Sequence, residues 1–130
     1  MAPLRGTRHR EGEPVSIAAT VVTALIALLH LYFLVLEMFL WDKPAGRRAF
    51  GLTPEFAAQS KTLAANQGLY NGFLAAGLVW GLASGDPAVK VFFLGCVLIA
   101  GVFGGLTASR KILWIQALPA LLGLTLTLLA

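Results

Sequence analysis

Charge is what this sequence has least of: only 12% of its 130 residues are Asp, Glu, Lys or Arg, against 58% hydrophobic. A water-soluble domain of this size needs more charge than that to keep its surface wet, so the composition excludes an ordinary soluble globule. Cysteine is nearly absent. The single Cys96 can form no internal disulfide, and no Cys/His cluster accompanies it to build a zinc site, so it reads as packing. Basic residues give a net charge of +4, but no basic face with interleaved aromatics exists, so no nucleic-acid partner is expected.

The charges that are present leave long gaps. Between Pro14 and Asp42 the ionisable side chains, tyrosine apart, are His30 and Glu37. No charge lies between Lys61 and Asp86, between Lys90 and Arg110, or after Lys111. Each gap can hold the roughly 20 apolar residues that a helix needs to cross hydrocarbon. The expectation is an all-α chain, an antiparallel four-helix transmembrane bundle with spans near Val15–Leu40, Leu63–Ala83, Ala88–Leu106 and Ile112–Ala130. Strict period-two alternation is missing, which excludes barrel strands.

Residues 1–14, "MAPLRGTRHREGEP", are polar and unpatterned and read as a disordered tail before a single domain over 15–130. The first apolar run is too long for a cleaved signal peptide. "DKPAGRRAFGLTPEFAAQSK" reads as a basic loop that turns into the second helix at Thr53-Pro54-Glu55: a capping hydroxyl, proline at the first helical position, an acid in the first turn. Helices over about 54–83, 88–106 and 110–130 follow, with Asp86-Pro87 starting the third and "TASRK" a tight hairpin link. Lys43, Arg47, Arg48, Lys61, Arg110 and Lys111 outnumber Arg5, Arg8, Arg10 and Lys90, so the positive-inside rule puts loops one and three in the cytoplasm and both termini outside. The bacterial inner (plasma) membrane is the expected location. Gly68/Gly72, Gly77/Gly81 and Gly101/Gly105 have small-xxx-small spacing, suited to close helix packing or to a homo-oligomer interface.

Against this apolar background a few polar residues stand out. His30 and Glu37, in "HLYFLVLEMFLW", are seven apart and share one helix face, with Trp41 continuing the stripe to the interface. Asn66, Gln67, Tyr70 and Asn71 occupy an arc of about 140° on the second helix. The fourth carries Gln116. Counted at ~1.5 Å per residue from the loop-one side, Glu37 falls level with Asn66, Gln67 and Gln116, with Tyr70, Asn71 and His30 deeper. Ionisable groups inside a membrane are costly and mark functional sites by default. The expected site is therefore a polar pocket for a small lipophilic or amphipathic molecule. Asn66, Gln67, Tyr70, Asn71, Trp41 and Gln116 would bind it, and His30 and Glu37 would move protons if the protein is an enzyme. Glu37 is expected within hydrogen-bond reach of Asn66 or Gln67. The competing readings are interhelical glue in a structural subunit, and a proton relay in a small transporter. One histidine and one carboxylate are too few for catalytic zinc, no metal is expected, and no cofactor is specified.

The strings "HLYFLVLEMFLW", "FGLTPEF", "LAANQGLYNGFLAAGLVWG" and "QALPALL" resemble a family of small bacterial and fungal membrane proteins known as a domain of unknown function, number thirteen-oh-four. The likeness runs from about Ile17 to the C-terminus and implies a four-span integral membrane protein. Its recurring polar positions fall on His30, Glu37, Asn66, Gln67, Tyr70 and Asn71. A fainter likeness to the four-span eicosanoid and glutathione metabolism proteins rests on Lys61 and Asn66, and the acid those proteins carry a turn later is absent here.

Overall fold

The computed structural model describes residues 8–130, with side chains from residue 12 onward. Among these the chain is all helix and turn, without strands. The elements are α1 (Arg8–Phe39), α2 (Pro44–Phe50), α3 (Pro54–Ser84), α4 (Pro87–Thr107), a π-helical turn (Leu113–Ala117) and α5 (Leu118–Leu129). The all-α expectation is met.

Two helix starts lie where the local chemistry places them. Thr53 Oγ1 accepts from Phe56 N–H at 3.2 Å, with Pro54 opening α3 and Glu55 in its first turn. Asp86 accepts from Ala88 N–H at 2.9 Å, with Pro87 opening α4. Other boundaries differ from the sequence reading. Of the expected disordered tail over 1–14, residues 1–7 lie outside the described residues, and from Arg8 the chain is already helical. Extending an existing helix adds one hydrogen bond per residue fixed, without a new nucleation cost, so polar residues can join α1 despite Pro14. The basic loop contains a helix of its own. Pro44 opens α2, Arg47 and Arg48 sit at its negative C-terminal end, and Gly51 closes it in the left-handed region at φ 64°.

The last helix is not regular. Leu118 N–H reaches back five residues to Leu113 O. Pro119 explains the widening: it has no N–H for the Ile115 carbonyl and its ring would clash there, so a π-turn just before it relieves the crowding.

Helical segments Gly12–Phe39 and Pro87–Thr107 are each long and apolar enough to cross a membrane. α3 spans 31 residues but carries the polar run around Asn66–Asn71, and the apolar segment Leu113–Leu129 is shorter. Among the described residues two helices thus meet both the length and the hydropathy requirement. Large apolar side chains crowd the described surface. Leu106 is 76% exposed and Ile99 72%, while His30 is fully buried.

The chain divides into two compact units, Met1–Ile26 with Gly77–Ala130, and Ala27–Ala76. In the first, glycines admit their neighbours closely. A Cβ on Gly101 would sit 2.8 Å from Ala117 N, and Gly77, Gly81 and Gly105 face Phe93, Lys90 and Leu113. Leu78, Leu94, Val97 and Ala120 are fully buried there. In the second unit, α1 and α3 form an antiparallel hairpin with α2 at its closed end. Gly68 and Gly72 of α3 face Leu34, Glu37 and Met38 of α1, and Gly46 lies against the Leu40 carbonyl, where no Cβ fits. The small-xxx-small pairs are therefore spent within the fold on close helix contacts.

A buried carboxylate and amide as the candidate functional site

The α1–α3 hairpin of the Ala27–Ala76 unit holds seven of the eight polar and aromatic positions singled out in the sequence. On α1, Ala27, His30, Leu36 and Glu37 are buried. His30 lies two turns before Glu37 on the buried side and packs edge-to-face on Phe33, ring centres 5.6 Å apart. On α3 the buried line runs Ala57, Ala64, Gly68, Asn71 and Ala75, a near-heptad stripe of small residues broken by one polar side chain. Small residues let the two backbones approach, and that approach sets the rotation of α3.

The consequence is a single interhelical polar bond. Asn71 Nδ2 donates to Glu37 Oε1 at 2.5 Å, with both residues buried. The expected partners of Glu37, Asn66 and Gln67, are exposed, as is Tyr70 at 58%. Glu37 is met by Asn71 instead, because α3 is rotated with its small residues toward α1. Taking the centre of the small-residue stripe as zero, Asn66 points about 180° away, Tyr70 about 140° and Gln67 about 80°. The polar arc and the packing face overlap only at Asn71. The stripe Ala57–Ala64–Gly68–Ala75 was legible in the sequence and was the signal that identifies the buried face.

Trp41 does continue the α1 stripe, but its indole N–H is held within the hairpin, donating to Ser60 Oγ at 3.0 Å, while its ring lies 5.0 Å from that of Phe50. One residue on, Asp42 pairs with Lys61 at 3.1 Å. The hydrogen bond from Lys61 holds the Asp42 carboxyl below its ordinary value. Neither Ser60 nor this ion pair was anticipated. They close the loop end of the hairpin, two to three residues beyond the expected span boundaries. Gln116 belongs to the other unit, where its side-chain N–H donates to Val97 O at 3.1 Å, locking the π-turn to α4. Thr23, also buried in that unit, has a hydroxyl without a hydrogen-bond partner among the described residues.

Chemically, the hairpin offers a carboxyl group, a carboxamide and an imidazole, all shielded from the surface. The carboxyl oxygen bound by Asn71 is occupied. Two hollows of the described surface lie elsewhere, one along Glu13–Val22 of α1 and one around Arg47 and Arg48. Among the described residues no group of three or more His, Cys, Asp or Glu side chains could hold a metal ion.

The comparisons with known proteins agree on kinship. The chain is 28% identical over 113 residues to the uncharacterized protein YpaA of Lactococcus lactis subsp. lactis, covering 84% of this chain and 95% of that protein. No solved structure matches it. The family model described as "Protein of unknown function (DUF1304)" matches residues 24–128, nearly the whole described fold and all of the hairpin, and the chain belongs to that family.

Proposed function

We propose that this protein is an integral membrane protein of four spans whose α1–α3 hairpin carries a polar intramembrane site for a small lipophilic or amphipathic molecule. α3 and the C-terminal helix complete the crossings that α1 and α4 begin. What carries the reading is the buried Glu37–Asn71 hydrogen bond with His30 two turns away. Polar bonds between membrane helices average only about 0.6 kcal/mol, a weak return for placing an ionisable residue in a span. Opening of the hairpin would free the Glu37 carboxyl and the Asn71 amide to grip a polar head, with His30 or Glu37 able to exchange a proton with it. The exposed Asn66, Gln67 and Tyr70 give an entering molecule polar contacts along α3.

A second reading is favoured by one observation: the pair satisfies itself. In that case Glu37 and Asn71 act as an interhelical clamp in a structural subunit. Purification in native nanodiscs followed by extraction and mass spectrometry separates the two. A binding protein yields a stoichiometric lipophile that Glu37→Gln or Asn71→Ala depletes. A clamp yields bulk lipid alone, unchanged by either substitution.

A further inference from the structure

A second feature of the Ala27–Ala76 unit lies outside that site. The turn after α1 folds α2 into a hollow of about 370 Å³ lined by Pro44, Arg47, Arg48, Gly51 and Leu52. Its backbone is fixed at Arg47. The Arg47 N–H donates to Lys43 O at 3.0 Å, and the Arg47 carbonyl accepts from both Gly51 and Leu52, the latter at 2.9 Å. Gly46, one residue earlier, is pressed against the Leu40 carbonyl. The fixed backbone limits where the Arg47 side chain can reach, and its planar guanidinium is itself pre-organised for an oxyanion.

Among the described residues neither Arg47 nor Arg48 is in an ion pair, and Arg47 Nε is buried with no acceptor. Of the nearby acids, Asp42 is engaged by Lys61 and Glu55 stands exposed in the first turn of α3. Lys43, also exposed, adds a further positive charge. A buried guanidinium N–H without an acceptor is costly, and planar arginine forks match the oxygens of a phosphate. The Trp41–Phe50 ring pair beside the hollow is the type of side chain that settles at a membrane–water interface.

We propose that this hollow is a binding site for a phosphate oxyanion, carried by an anionic lipid headgroup or by a soluble phosphate compound. Arg47 and Arg48 supply the charge, and the α2 turn supplies the rigid seat. The lipid source rests on the membrane reading above. The free-phosphate source does not.

The test uses the full-length protein in neutral detergent. Native mass spectrometry follows retention of phosphatidylglycerol against phosphatidylcholine from mixed micelles, and thermal unfolding follows the response to inorganic phosphate against chloride at equal ionic strength. The expected preference for phosphatidylglycerol is about tenfold to thirtyfold, lost in R47Q/R48Q and partly kept in R47K/R48K. R110Q/K111Q, which removes the same charge from a different loop, should leave it intact. Retention of phosphatidylglycerol without a phosphate response supports the site and identifies the lipid as its source. A phosphate response lost in R47Q/R48Q, without lipid preference, supports it with a soluble source, even if alkaline carbonate strips the protein from membranes and removes the membrane reading. Equal loss in R110Q/K111Q, or neither response in the wild type, overturns the site.

Discussion

Asn71 and Glu37 are joined by a hydrogen bond across two antiparallel helices, the amide of one spanning to the carboxyl of the other with both residues buried. Asn71 is the one polar side chain on the buried small-residue stripe of α3, so the bond has no substitute nearby.

Removing one partner should therefore cost more than removing both. Asn71→Ala strands a buried carboxyl and is expected to destabilise the protein by about 1–3 kcal/mol. The double variant Glu37→Leu/Asn71→Leu should recover most of that, since both polar groups are gone and apolar bulk replaces them. Denaturant unfolding in detergent, analysed as a double-mutant cycle, reads the coupling directly. Additive losses would show that the two side chains do not act as a pair.

Glycine at 101 and at 95 should respond with opposite sign. A Cβ on Gly101 meets the Ala117 backbone at 2.8 Å, and backbone cannot swing aside, so Gly101→Ala is expected to cost about 1–3 kcal/mol. Gly95 has nothing within 4 Å, so Gly95→Ala should be neutral or gain up to about 1 kcal/mol from helix propensity. Thermal midpoints of the two variants, measured side by side, check the contrast.

Stability near the acid end should carry the mark of Asp42. Lys61 lowers its folded-state pKa, so the unfolded chain binds the proton more readily. The contribution is fully present above the ordinary aspartate pKa of about 4 and is lost as pH falls through the lower, folded value. It should be modest, because the pair is exposed to solvent and salt screens it. Unfolding midpoints of the wild type and Asp42→Asn should differ at neutral pH and converge on acidification. A difference that grows as pH falls would contradict the assignment.

The π-turn makes a prediction for Pro119. Replacing it with alanine restores an N–H able to bond Ile115, so the turn should tighten to regular helix and rotate Gln116 off the Val97 carbonyl by about 100°. Gln116→Leu removes the same bond without rewinding, at a cost of about 0.5–1.5 kcal/mol. Hydrogen exchange on Leu118 distinguishes the two, since the carbonyl that accepts from its N–H changes in Pro119→Ala and persists in Gln116→Leu.

The sequence by itself determined the helical character of the chain and several of its boundaries. Charge-free gaps long enough for a span need no tertiary context, because length and transfer free energy act on each segment alone. Thr53-Pro54 and Asp86-Pro87 likewise start α3 and α4 through bonds to residues two or three positions away. The polar residues His30, Glu37 and Asn71 stood out for the same local reason, that an apolar helix makes them expensive. What only the tertiary structure decided was rotation. By residue count Asn66 and Gln67 fall level with Glu37, yet α3 turns its small residues toward α1, because close backbone packing over many contacts outweighs one alternative amide bond. The same holds for Gln116, whose direction depends on a π-turn forced by a proline three residues later and on a carbonyl that α4 brings alongside. Depth follows from counting along one helix. Facing follows from which two surfaces can approach, and that is a property of the pair.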